Sequence, residues 1–600
     1  MTDREPREPA DLHDAALRDR AVAAARGDAP FDVLIADGEV LDTVTGERRA
    51  VDVGLVGPLI ASVHPRGTRH DAAARVDARR RVVCPGLIDS HMHVESSMVT
   101  PATYAEAVLA RGVTTIVWDP HEFGNVHGLD GVEWALRACE ALSLRVILLA
   151  PSCVPSAPGL ERSGATFDGE DIGRLLARPG IGGVAEVMNM RGTIERREPM
   201  RGVVQAGLRS GKPVLGHARG LAGADLAAFM AAGIASDHEL VSGEDLLAKL
   251  RAGLWIELRG SHDHLLPELA DALLALGHLP STLTLCTDDV FPDDLARAGG
   301  LDDVLRRLRR RGLPADWCVR AATLNAALRH ARHDLGVVAA GRRADLVVFD
   351  DLETFRAGEV FASGRRVAEH GRTVIGQRAI DTAPLERSVH GGPLVADDFR
   401  VPASGRRVKL ATIDRPRFTR HAERAADVRD GTVVKPADAT LIAVLHRHAV
   451  TDASPARPTV GYLTGWGDWR GAFCTSVSHD SHNLTAFGGT ERDLAAAMNA
   501  VIGLQGGLAV AVDGRVVASL ALPLSGLVSA APLAEVADGF AAVRDALDAV
   551  IDWAPPYLVF KACFGATLAC NDGPHQTDLG LADVARGAPL PSPVLAVLEP

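Results

Sequence analysis

Short apolar runs alternate with longer amphipathic stretches from Val83 to about residue 335. The runs lie at Val83–Ile88, Thr114–Trp118, Val146–Ala150, Gly183–Val187, Pro213–Leu215, Ile234–Ser236, Leu254–Leu258 and Leu283–Leu285. Brief, nearly continuous apolar runs separated by helical stretches are the pattern of a parallel sheet covered on both faces. Eight strand–helix units over about 250 residues match the size of a (β/α)8 barrel. The spacing therefore predicts an α/β protein built around a (β/α)8 TIM-like barrel over 84–335.

The flanks have another rhythm. Asp32–Ile35, Val51–Leu55 and Leu59–Val63 read as short strands, punctuated by Asp37-Gly38 and Gly57-Pro58. A matching patch, Ala344–Phe349, lies beyond the barrel stretch. Residues 31–83 and 336–392 are thus expected to fold together as one small β domain, split in sequence by the barrel. From 393 to 600 a C-terminal α+β domain is expected. It has strands at Arg407–Ala411 and Thr440–Leu445, a helix near Glu491–Gly503, and a hairpin over Leu508–Ser519 turning at Asp513-Gly514. Residues 1–30, charged and Ala-rich, read as a frayed or helical extension.

Composition narrows the function classes. The chain has 600 residues, 47% apolar and 24% charged, with a net charge of −13. That sign disfavours a nucleic-acid partner. The basic run Arg306–Arg311 follows Asp302 and Asp303 and reads as a solvated helix face. The eight cysteines include no Cys-x-x-Cys, so neither a zinc ribbon nor a disulfide framework is expected. The late apolar stretch Ala495–Val512 is broken by Asn499, Gln505, Gly506 and Gly507 and cannot span a bilayer. The expectation is a cytoplasmic protein without a membrane partner, with a homodimer as the default assembly.

The candidate chemistry sits at the ends of the apolar runs. His91 and His93 alternate along the first strand, so both point the same way. Glu186 lies near the end of the fourth run, His217 closes the fifth, His238 follows the sixth, and Asp288 closes the eighth. All six converge on the C-terminal rim, where barrel enzymes carry their active sites. Four imidazoles and two carboxylates exceed what one catalytic zinc takes. They suit two ions with a carboxylate between them.

These residues carry a family resemblance. The chain resembles the amidohydrolase superfamily and, within it, the adenine deaminases of binuclear-metal type. The resemblance rests on His91-Met-His-Val-Glu-Ser-Ser-Met98, Asp119-Pro-His-Glu122, Gly183-Val-Ala-Glu-Val-Met188, Gly216-His-Ala218, Asp237-His-Glu239, Cys286-Thr-Asp-Asp289 and His479-Asp-Ser-His-Asn483. Glutamate at 186 is the more specific mark, because many relatives place a carboxylated lysine there. Arg219 stands where the family usually has proline. The resemblance implies hydrolysis of adenine to hypoxanthine and ammonia by a metal-bridging hydroxide, in purine salvage or adenine catabolism. The partners implied are a purine base and water.

On this reading His91, His93 and Asp288 hold one divalent ion, His217 and His238 the second, and Glu186 bridges. Asp288 takes the proton of the attacking hydroxide and delivers it to ammonia. A second acid must protonate the ring; Glu122 and Asp119, just past the second strand, are the candidates. Glu95, His121 and Arg219 are expected to contact the substrate. Imidazole with carboxylate suits Mn2+, Fe2+ or Zn2+, and spacing does not choose among them; the family implies manganese first, or ferrous iron. An amidohydrolase acting on an N6-substituted adenine or a cyclic amide is the alternative. A base-flipping zinc deaminase is disfavoured because no Pro-Cys-x-x-Cys follows His93-Val-Glu95. The late histidines His446, His448, His479, His482 and His575 read as packing or contact residues, with an extra metal or a lid as the sharper idea.

Overall fold

The computed structural model describes residues 9–416, 418–450, 456–552 and 559–600. Residues 1–8 of the N-terminal extension lie outside the described part. Eight strands follow the apolar runs: β1 (Leu87–Met92), β2 (Val113–Trp118), β3 (Arg145–Ala150), β4 (Ile181–Val187), β5 (Val214–Gly216), β6 (Ser236–Asp237), β7 (Trp255–Arg259) and β8 (Leu283–Cys286). β1 to β5 form one parallel sheet in sequence order, and β6 to β8 a second. The edges of the two sheets approach each other on both sides. On one side the Asp288 amide donates to the His91 carbonyl at 3.0 Å and the His93 amide to the Asp288 carbonyl at 3.3 Å. On the other, the Ala235 amide donates to the Val214 carbonyl at 3.2 Å. Every residue of β1 and β2 is buried, including the polar Asp89, Ser90 and His91 of β1 and Thr114 and Thr115 of β2.

The first apolar run divides in the structure. Val82–Pro85 pairs antiparallel with Leu346–Phe349, within a seven-stranded sheet that also holds Glu39–Leu41, Ala357–Ala362 and Arg365–Glu369. Gly86 is the crossing point between this sheet and β1. A Cβ there would stand 2.1 Å from Thr114 Oγ1, so no larger residue passes.

The described part of the N-terminal extension is packed rather than frayed. Its helix, Ala15–Arg26, starts on an Asp14 cap and ends on Gly27 in the left-handed region. Leu12 and Ala24 join a small core with Phe31, Leu34 and Leu59. The buried Arg343 guanidinium fastens this segment by pairing with Asp11 and, at 2.9 Å, with Asp334.

After Val395 the chain builds a large sheet in which Arg407–Asp414, Thr459–Thr464, Ala439–Leu445, Leu484–Gly488, Ala472–Thr475, Gly507–Val512 and Arg515–Ala521 are neighbours in that order. Helix Glu491–Gly503 buries Leu494, Met498 and Val501 against it. His446 and His448 fall just past the end of the strand Ala439–Leu445 rather than alternating along it, and both ring Nε2 atoms contact backbone carbonyls, of Ser163 and Val126. No helix of the described residues is long and apolar enough to cross a membrane.

Two kinds of contact seat this late unit on the β-strand ends. Phe291 packs against Phe540 and Phe560, with ring centroids 5.4 and 5.0 Å apart. Glu161, fully buried, accepts from Ser156 Oγ at 2.7 Å, from the Ala157 amide at 2.8 Å, and from Ser481 Oγ of the late unit. Burial pushes the Glu161 carboxyl from its ordinary 4.5 up to about 7. The folded state therefore keeps this proton to higher pH than the unfolded chain, and the carboxyl costs stability as pH climbs through that window. We expect the thermal midpoint to fall between about pH 4.5 and 7, and Glu161→Gln to flatten that part of the curve. Calorimetry of both proteins across pH checks this; parallel curves would contradict it.

Candidate metal centre

The loops that follow the strands bring the six expected ligands together. His91, His93, Glu186, His217, His238 and Asp288 are all buried. Glu186 stands in the middle and divides its two oxygens. Oε1 faces His93 Nε2 at 3.4 Å and His91 Nε2 at 3.7 Å. Oε2 faces His217 Nδ1 at 2.8 Å and His238 Nε2 at 3.1 Å. Asp288 Oδ1 lies 3.3 Å from His91 Nε2 and 3.5 Å from His93 Nε2.

These spacings fit shared cations. His91 Nε2 is buried without a hydrogen-bond partner. Its carboxylate neighbours are too distant for a normal N–H···O bond, yet ligand atoms about 2.1 Å from one tetrahedral ion stand about 3.4 Å apart. Burial, together with the neighbouring His238, holds the His91 imidazole below its ordinary pKa. Two donor sets share one glutamate, and the chemistry of the set suits a pair of divalent ions.

Local structure fixes each carboxylate. Asp288 has φ +59°, an uncommon conformation that aspartate tolerates better than most residues. Its backbone bonds to β1 hold it there. Its Oδ2 pairs with Arg259 and accepts from Ser261 Oγ at 3.1 Å, leaving Oδ1 toward the imidazoles. Burial alone would raise the Asp288 pKa, but Arg259 and the two histidines outweigh it and keep the group ionised.

Asp237 sets the two loops that carry His217 and His238. Its Oδ1 accepts from the Ala218 amide at 2.6 Å and the Glu239 amide at 3.1 Å. Lys249, fully buried, pairs with its Oδ2 at 2.8 Å and with Asp245 at 2.9 Å. Lys249→Met would leave Asp237 charged and buried without its cation, at a cost of about 3–5 kcal/mol. Urea unfolding of the variant should show that loss; an unchanged midpoint would mean that the pair is not a stability element.

A cavity of about 140 Å³ opens over these ligands. Arg219 lines it, 3.5 Å from Glu239, with its guanidinium over the Phe418 ring. The expected contacts Glu95 and His121 do not contribute to the lining, nor do Asp119 and Glu122. Glu95 is occupied by Trp118 Nε1 at 2.8 Å and by the Phe123 amide. Asp119 accepts from the His121 amide and, at 3.0 Å, from His121 Nδ1. Position just past β2 brings all four near the site: His121 Nδ1 stands 3.9 Å from Glu186 Oε1, and Glu122 Oε1 stands 3.7 Å from His479 Nε2. Burial, then the charge of Glu95, pushes the Glu122 carboxyl well above the usual range.

Several lining residues carry no motif of their own. Arg259 is the last residue of β7, a rim position in the same sense as Asp288 just beyond β8, and that placement was available from the strand pattern. Lys561, Phe564, His479 and Asp480 come from the late unit, and only the polar run His479–Asn483 hinted at a cleft.

The strand-end ligands and the α/β frame define a metal-dependent hydrolase. The amidohydrolase family model matches residues 82–368, and the adenine deaminase C-terminal domain model matches 416–588. The chain is 65% identical over 591 residues to adenine deaminase 2 of Agrobacterium fabrum, covering 98% of each. It is 51% identical over 574 residues to adenine deaminase of Klebsiella pneumoniae, covering 95% of this chain and 94% of that one. A solved D-aminoacylase structure is similar over 57% of this chain and 98% of its own, with 18% identity and a TM-score of 0.44. The chain belongs to the adenine deaminase family of amidohydrolases.

Proposed function

We propose that this chain hydrolyses adenine to hypoxanthine and ammonia in the cavity above Glu186. The observation that carries this reading is the division of Glu186 between two imidazole sets, with Asp288 beside both. His91, His93 and Asp288 would hold one divalent ion and His217 and His238 the other, with Glu186 between them and manganese the first to test. Such ions supply water that gives up a proton near neutral pH. We also infer that the two parallel sheets are one closed eight-stranded barrel, supported by the backbone bonds at both pairs of edges.

The chain's own groups manage the protons. Asp288, kept ionised by Arg259, accepts the proton of the attacking water and passes it to the departing amine. The ring needs a proton to become electrophilic. We assign its supply to Glu122, whose carboxyl burial pushes up; Ser96 Oγ lies 3.4 Å from Glu122 Oε1 and 2.6 Å from Asp289 Oδ1. Asp289 lines the cavity, so Glu122, Ser96 and Asp289 make a path from the buried acid to the ring. Asp119 orients His121 and acts as a positioning residue. Arg219 and Glu239 present a charged edge to the base. Burial alone would raise Glu239, but Arg259, His262 and Arg219 hold it low, so it accepts hydrogen bonds from ring N–H groups.

Ammonia release from a panel of aminopurines and aminopyrimidines by manganese-loaded protein tests the reading. Adenine should be turned over fastest. Silence toward adenine with the ions bound would overturn it, and a preference for an N6-substituted purine would favour the alternative substrate.

A further inference from the structure

Asp480 is a fully buried carboxylate with no hydrogen bond to either oxygen. An ionised carboxylate in that state is costly unless a cation compensates it. Two imidazoles face it. His121 Nε2 stands 3.6 Å from Asp480 Oδ1, and His479 Nδ1 stands 3.4 Å from the same oxygen. Donor atoms of His121, His479 and Asp480 all lie within 4.8 Å of one another. The two nitrogen–oxygen gaps are too wide for strong hydrogen bonds. They match the separation of about 3.4 Å expected for two ligands about 2.1 Å from one tetrahedral ion.

The surroundings add a second, independent sign. His121 Nδ1 faces Asp119 Oδ2 at 3.0 Å, and its Nε2 is buried with no hydrogen-bond partner. A carboxylate behind the distal ring nitrogen is the usual support of a metal-binding histidine. His121 therefore turns its backed nitrogen toward the Glu186 centre and its bare nitrogen toward Asp480. His479 and Asp480 also line the cavity, so solvent can complete a coordination shell.

We propose that His121, His479 and Asp480 form an additional divalent-cation site, distinct from the pair at Glu186. The imidazole–carboxylate set suits manganese, ferrous iron or zinc. Its ligands come from both sides of the junction: His121 opens the helix after β2, and His479 and Asp480 belong to the late unit. An ion there clamps the late unit onto the strand ends and fixes one wall of the cavity.

The test is a metal count on chelator-stripped protein reloaded with Mn2+ and desalted. With the pair as read above, wild type should retain about three ions per chain, and Asp480→Ala and His479→Ala, which remove the donor atoms altogether, about two. Glu186→Gln should lose ions from the pair and keep the one at Asp480, which separates failure of this proposal from failure of the pair. Circular dichroism establishes which variants are folded. His479→Ala, at a partly exposed position, covers the case in which Asp480→Ala does not fold. Anomalous diffraction of the manganese-loaded wild type should show a peak enclosed by His121, His479 and Asp480, and this needs no variant. No peak there, or folded variants that keep the wild-type count, would overturn the proposal.

Discussion

Asp288→Asn is expected to lower kcat for adenine about a hundred- to ten-thousand-fold, the range for removing a positioned general base. Asparagine keeps the shape of aspartate and an oxygen that can face His91 and His93, so the metal content should stay close to that of wild type. What it loses is the capacity to take a proton. Arg259 would not be stranded, because it also pairs with Glu239. Steady-state rates and metal analysis on one preparation check both halves. A near-normal rate would remove Asp288 from the proton path. A slow rate with lost metal would make it only a ligand.

Glu186→Gln should be more damaging to the metal centre itself. Each oxygen of Glu186 serves a different imidazole set, and an amide can offer an oxygen to only one of them. The amide nitrogen would then point at the other set with hydrogens. The variant should lose at least one ion of the pair, and turnover should drop below detection at ordinary metal concentrations. Metal titration followed by activity is the measurement. Full turnover with both ions retained would show that Glu186 is not the shared ligand.

Much of this arrangement is legible in the chain because local rules govern it. The eight strands begin and end within a few residues of the apolar runs, since a strand buried on both faces keeps apolar residues at most of its positions. The hairpin at Asp513-Gly514 and the helix Glu491–Gly503 follow equally local signals. The six candidate ligands converge because each sits at the same end of its strand. What lies just beyond a strand is harder to read. Glu95 and His121 stand near the centre in sequence, but loop conformation, not spacing, turns their side chains toward Trp118, Asp119 and Asp480. Lys561 and Phe564 reach the cavity through contacts between segments far apart along the chain, Lys561 Nζ donating to the Ser261 carbonyl at 3.0 Å and Phe564 packing on Phe291. No periodicity records such contacts.

The wall of the chamber is encoded far downstream of its floor. His93, Glu186, His217, His238 and Asp288 form the floor of the cavity, while Lys561 and Phe564 of the late unit form part of its roof. Substitutions in the roof can therefore alter which heterocycle fits without disturbing the ligands beneath. Diversification of substrate range in this architecture has a place to act that leaves the reactive machinery intact.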